Sequence, residues 1–231
     1  MNTINFNNEV KNFYSKLKFP GEYTEDHIKE CQKEIVNPYL RIIDKHLKDG
    51  IDIIDVGCGS GFICNLFASR YASRLTALDF SDAIDFAKNF ASGHNIQNIT
   101  YEKKDLFDIN QDQVYDVVIC QGVLHHIADY QKASEILKKI ASKKIILSVY
   151  HPSGKFLKKF MKINYNSEIL KRDQEEVPYE LSFNKNEVMS LFNGFKLIEC
   201  YPSFPFLNFF YRPISHSRNG GLVTYIFEKG F

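Results

Sequence analysis

Ile51-Asp52-Ile53-Ile54-Asp55-Val56 runs directly into Gly57-Cys58-Gly59-Ser60-Gly61. A short apolar run ending in an acid, followed by alternating glycines, predicts a buried strand, a tight turn and the start of a helix. In such a unit the backbone of the turn comes up against a nucleotide-like ligand at the helix N-terminus. Glycine supplies what the turn needs: without Cβ atoms, Gly57, Gly59 and Gly61 can take positive φ and leave room for a ligand against the peptide planes.

The spacing separates two kinds of cofactor. A dinucleotide fingerprint requires G-x-G-x-x-G/A, with the third small residue packing the helix on the strand and the pyrophosphate at the helix N-terminus. Phe62 occupies that third place. The pattern present, D-x-G-x-G-x-G from Asp55 to Gly61, resembles motif I of the class I S-adenosylmethionine (SAM) dependent methyltransferases. The segment Gly122-Val123-Leu124-His125-His126-Ile127, after a strand predicted at 115–121, is similar to one found in many bacterial small-molecule methyltransferases of that superfamily. Together these likenesses cover residues 51 to about 151.

Further acids fall where this fold needs them. A second strand at 74–80 carries Asp79, about 20 residues past the glycine turn, where a carboxylate can accept both hydroxyls of an adenosine ribose. Phe80 follows, suited to lie against an adenine face or to pack on the next helix. A third strand, Ile99–Lys103, leads to Asp105 and Leu106. The resemblance implies that Asp105 accepts from the adenine amino group and that Leu106 closes the pocket. It also implies a cofactor set of Tyr14, Asp55, Gly57, Cys58, Gly59, Gly61, Asp79, Phe80, Asp105, Leu106 and Gln121, with SAM as the cofactor.

The remaining pattern is α/β. Helices are predicted at 61–72, 81–92, 129–142 and 184–192, with Ser81 and Asn184 as N-caps, and a fifth strand at 144–150. Alternating strands and helices imply a parallel sheet covered on both faces. Strands at 195–201 and 222–229 complete a Rossmann-like, seven-stranded, mostly parallel sheet, and the family likeness implies an antiparallel last strand. Two further parts are expected: an N-terminal helical lid over residues 1–50, with a helical stretch at 25–48, and an insertion at about 152–182 over the carboxyl edge of the sheet. Similar enzymes use such a lid to bring a tyrosine, here Tyr14 or Tyr23, to the cofactor or substrate; each ring also suits packing on the core.

Composition bounds the function. With 231 residues, 44% hydrophobic and 25% charged, the chain is long enough for one α/β domain. A net charge of +1 argues against a dominant nucleic-acid surface. The resemblance implies a small-molecule acceptor and the charge balance no DNA partner, while methylation of RNA and non-catalytic SAM binding stay open as alternatives. Cys31, Cys58, Cys64, Cys120 and Cys200 show neither C-x-x-C nor zinc spacing, which suggests reduced cytoplasmic thiols and no metal. The first residues lack an apolar signal region, and no stretch is long enough to cross a membrane.

A sulfonium methyl is already activated, so alignment of the acceptor is the main requirement and a general base is optional. His125, His126 and His151 all follow strand ends on the expected catalytic edge. Histidines there also serve simply to bond a loop; His126 is the first candidate base and His151 the second. The basic amphipathic stretch 155–163 suits a helix covering the site or skimming a membrane. Arg172 and Arg212 are candidates for holding an acceptor anion, and the phenylalanine-rich run 203–211 for an apolar wall or a packed crossover.

Overall fold

The computed structural model describes residues 10, 12–14, 21–33, 38–152, 181–202 and 222–230. Seven strands form one sheet: β1 (Asp52–Val56), β2 (Arg74–Asp79), β3 (Ile99–Lys103), β4 (Tyr115–Gln121), β5 (Ala141–Tyr150), β6 (Phe195–Pro202) and β7 (Leu222–Lys229). Their order is β3-β2-β1-β4-β5-β7-β6. The first five pair in parallel, while β7 runs antiparallel to both β5 and β6. The expected Rossmann-like sheet with its antiparallel last strand is thus present. Successive strands leave β1 in opposite directions, toward β2 and toward β4, which opens a crevice at their carboxyl ends.

Six α-helices accompany the sheet among the described residues: α1 (Glu25–Lys33), α2 (Pro38–Asp44), α3 (Phe62–Arg70), α4 (Ala83–Gly93), α5 (Tyr130–Ile140) and α6 (Lys185–Leu191). Side chains alternate across the sheet, so each strand feeds two apolar layers. Ile54, Val118, Ile145 and Phe227 pack with Ile136 and Leu137 of α5 and Val188 of α6. On the other face Ile53, Ile119, Ile146 and Ile226 pack with Ile43 of α2, Phe67 of α3 and Ile84 of α4. Burying each such side chain contributes about 1.5–3 kcal/mol before chain entropy is offset.

Element ends differ from the sequence expectation for local reasons. Helix α4 begins at Ala83 behind Asp82, because the hydroxyl of Ser81, the expected cap, donates to Asp79 Oδ1 at 2.7 Å. Helix α5 stops at Ile140, since Ala141 already pairs with Tyr115 at the start of a β5 longer than the predicted 144–150. Asn184 caps α6 as expected, in a reciprocal capping box with Glu187. Within the 25–48 stretch the described residues include α1 and α2. The amphipathic stretch 155–163, Arg172, Arg212 and the run 203–211 lie outside the described residues, as does most of the 152–182 insertion.

Candidate active site

The glycine turn is built by the strand beside it. Gly57 and Cys58 both donate their N–H groups to Leu78 O, at 2.7 and 3.1 Å, and Gly61 N–H closes the turn on Cys58 O at 2.9 Å. Two glycines are required by neighbours of the protein itself. Gly57 has φ +75°, and a Cβ there would lie 2.3 Å from Val123 Cγ2; Gly61 has φ +82°, and its Cβ would lie 2.3 Å from Ala87 Cβ. The expectation that these glycines leave room for a ligand is corrected at Gly61, which faces helix α4 and is outside the crevice wall. Gly57 and Gly59 do face the crevice.

Asp79 organises the turn. Its Oδ2 accepts from Gly59 N–H at 2.8 Å, and its Oδ1 accepts from Ser81 N–H and Oγ at 2.8 and 2.7 Å. Each carboxylate oxygen has two lone pairs, so Oδ2 keeps one for a further donor. Asp105, at the end of β3, caps the short turn Leu106–Asp108 by accepting Phe107 N–H on Oδ1 at 2.9 Å. Both acids line the crevice with Phe80 and Leu106. Gln121 lines it too, steered by a bond from its Nε2 to Ile146 O (3.1 Å) and one from Ser148 Oγ to its Oε1 (2.5 Å).

Asp55 and Cys58 lie behind this wall. The alternation of β1 turns Asp55 away from the crevice into full burial beneath the turn, where Oδ2 has no hydrogen-bond partner among the described residues. Burial first, and the nearby Asp79 charge second, push its carboxyl up from 3.8 to about 7. The folded chain therefore holds a proton that the unfolded chain releases near its ordinary pKa. Stability is lost as pH rises from roughly 4 to 7, by up to ~1.4 kcal/mol per pH unit, and the loss is complete above the folded pKa. Asp55→Asn removes this slope. Denaturant titrations from pH 4 to 8 should show the variant gaining on the native chain up to about pH 7 and then holding a constant lead; a gap that never changes with pH refutes the perturbed carboxyl.

Opposite the turn stands a ring cluster. Tyr14 hydroxyl meets His126 Nε2 at 2.9 Å, and both side chains line the crevice. His125 is fully buried behind them, its ring 3.8 Å from that of Tyr150 and 4.2 Å from that of His126. Burial, then the neighbouring His126, hold His125 well below the usual histidine range, so it stays neutral and unsuited to carry a proton. His151 lies just past β5 and outside the crevice wall. Tyr23 is withdrawn from the crevice: its ring packs on Phe62, Phe86 and Phe90, and its hydroxyl accepts from Asn65 Nδ2 at 2.6 Å. Of Tyr14 and Tyr23, Tyr14 lines the crevice and Tyr23 does not.

Val56, Leu78, Ser81, Gly122, Val123 and Ile127 also line the wall, the last three from the segment 122–127 singled out in the sequence, while Val10, Lys104 and Phe107 were missed by sequence reasoning. For Val123 the signal was its place just after Gly122, which follows β4 with φ +75°. For Val10 there was none. The resulting crevice is apolar along its sides, with two carboxylates at the ends of successive strands.

A Rossmann-like sheet with this crevice at the divergence of β1 and β4 defines an α/β protein built to hold a nucleoside-like ligand. A family profile described as "Methyltransferase domain" matches residues 47–201. The chain belongs to this methyltransferase domain family. A ubiquinone biosynthesis O-methyltransferase of Coxiella burnetii is 31% identical over 136 residues, covering 57% of this chain and 53% of the relative. A malonyl-[acyl-carrier protein] O-methyltransferase of Acetivibrio thermocellus is 30% identical over 106 residues, covering 45% and 36%. The chain thus spans about half the length of the first of these curated relatives and less of the second. Magnesium protoporphyrin IX methyltransferase from Synechocystis PCC 6803, solved with bound SAM, shares the fold, with a TM-score of 0.64, 16% identity and 97% of each chain covered.

Proposed function

We propose that the chain binds SAM in this crevice and transfers its methyl group to an oxygen of a small, largely apolar acceptor. One observation carries the reading: the positive-φ turn held to Asp79 faces an apolar crevice that also contains Asp105 and ends at the Tyr14–His126 pair. Asp79, through the free lone pair of Oδ2, would hold a ribose hydroxyl; Asp105 would take the adenine amino group, with Phe80 and Leu106 against the base. Gly57 and Gly59 present backbone to the amino-acid part, beside Gln121. SAM, when bound, supplies a methyl group already activated on sulfur. The oxygen as acceptor atom rests on the two relatives, both O-methyltransferases by name.

His126 is the proposed base. A hydroxyl nucleophile must lose a proton as it attacks, and a neutral imidazole within hydrogen-bond reach can take it. Tyr14 marks that position, its hydroxyl 2.9 Å from Nε2. It either gives way to the acceptor or passes the proton along. His151 would act only if the 152–182 insertion brings an acceptor toward it. The insertion and residues 1–50 are the proposed substrate-selecting parts, and buried free thiols at Cys58, Cys64 and Cys120 support a reducing, cytoplasmic setting. Among the described residues, no helix is long and apolar enough to cross a membrane.

Incubation with methyl-labelled SAM and fractionated cell extract tests the reading. Label should enter the small-molecule pool; label in RNA, or tight SAM binding without turnover, would replace the proposal by one of its alternatives. His126→Ala should lower kcat by about 10²- to 10⁴-fold while SAM affinity changes little. Equal turnover across the pH range would remove His126 from the chemistry.

A further inference from the structure

One row of polar side chains interrupts an otherwise apolar face of the sheet. Ile119, Ile146 and Ile226 stand side by side on β4, β5 and β7, buried on the face that packs against α2 and α3. Two residues nearer the edge that holds the crevice, the same face carries Gln121, Ser148 and Thr224, again in register across the three strands. Ser148 and Thr224 are fully buried, whereas Gln121 lines the crevice.

A buried polar row weakens a core unless every member is bonded. Here the bonding runs in one direction. Ile146 O can only accept, so the Gln121 amide must turn its Nε2 toward that oxygen, at 3.1 Å. Oε1 then faces Ser148 Oγ at 2.5 Å and takes the single hydroxyl proton. With that proton engaged, Ser148 can only accept from the Thr224 hydroxyl, 2.7 Å away. The backbone adds a further tie, since Gly122 N–H donates to Ser148 O at 3.0 Å. The plane and the sense of the amide at the crevice wall are therefore fixed from inside the sheet.

We propose that Ser148 and Thr224 are positioning residues: they orient the Gln121 amide for the amino-acid part of an adenosyl ligand, and so give the crevice its preference for ligands that carry that part. This rests on the SAM reading above, in which Gln121 stands beside the amino-acid part. A glutamine side chain that is loose must be ordered when a ligand binds, at a cost in affinity; one already held by its neighbours presents its donor and acceptor edges in fixed places.

Calorimetry on the full chain with S-adenosylhomocysteine and with methylthioadenosine, which has the nucleoside and the sulfur but no amino-acid part, reads the two contributions apart. The native chain should bind the first more tightly. Ser148→Ala should weaken S-adenosylhomocysteine binding by about 3- to 10-fold, the worth of one neutral hydrogen bond, and leave methylthioadenosine within about 2-fold. Thr224→Val should act in the same direction, and Thr224→Ser, which keeps the hydroxyl, should hold the native ratio. In a Gln121→Ala background, Ser148→Ala should weaken binding no further, because its effect passes through the amide. A merely structural role would weaken both ligands alike; that result, a native chain that binds both equally, or losses that multiply with Gln121→Ala, overturns the proposal. If thermal unfolding shows that Ser148→Ala does not fold, Thr224→Val, which keeps the side-chain shape, takes its place under the same criteria. A native chain that binds neither ligand refutes the SAM reading instead, so the two failures are distinguishable.

Discussion

Asp79→Ala should cut affinity for S-adenosylhomocysteine by about 1.5–3 kcal/mol, roughly 10- to 100-fold, the usual worth of a hydrogen bond to a charged group. The structure gives this carboxylate two tasks. It holds Gly59 N–H and both donors of Ser81, and it keeps a lone pair on Oδ2 toward the crevice. Removing it frees the turn and deletes the proposed ribose acceptor together, so the loss should reach the upper part of that range. Ser81→Ala is the milder change, since it removes one bond to Oδ1 from a residue on the crevice wall and leaves the Asp79 carboxylate and its bond to Gly59 in place; its affinity should stay within about 3-fold of the native chain. Calorimetry on both variants, with thermal unfolding to establish that each is folded, decides the matter. A folded Asp79→Ala chain with native affinity would sink the assignment.

Gly61→Ala should destabilise the fold strongly for a single added methyl. The φ of +82° disfavours any L side chain by about 1–2 kcal/mol. The added Cβ also falls 2.3 Å from Ala87 Cβ and 3.2 Å from Cys64 Sγ, an overpacking that costs a further ~1–3 kcal/mol in a close-packed interior. The sum, about 2–5 kcal/mol, is a large share of the 5–15 kcal/mol that typically separates folded from unfolded domains. Ala87→Gly opens the space without relaxing φ. The cost of Gly61→Ala should therefore be about 1–3 kcal/mol smaller in an Ala87→Gly background, read from denaturant midpoints. An identical cost in both backgrounds would mean that the backbone angle alone, and not the contact with α4, demands glycine.

The fold was legible because its signals are local. Each of the seven strands was readable from an apolar or β-branched run, and Asn184 announced its own helix by a cap and a glutamate three residues on. The two crevice acids proposed to hold the cofactor were legible as neighbours for a related reason: Asp79 and Asp105 stand at or just past the ends of consecutive strands, and a parallel sheet brings such ends to one edge. Side-chain roles were less so. Ser81 looked like a cap and bonds to Asp79 instead; Tyr23 suited either contact with the ligand or packing, and it is packed; Gly61 looked like a place for a ligand and faces a neighbouring helix.

What the order of residues determined by itself is the chain's periodicity and punctuation, hence the parallel sheet, the glycine turn and the edge on which chemistry collects, because these depend on backbone propensity and on apolar spacing within a few residues. Only the tertiary structure decided which of the candidates face the crevice. It set Tyr14 on His126 across 112 positions, Ser60 on Gly21 across 39 and Val123 under Gly57. Contacts between residues so far apart follow from how helices and strands pack in three dimensions, and no local pattern encodes which of two tyrosines, or which of three histidines, the packing turns inward.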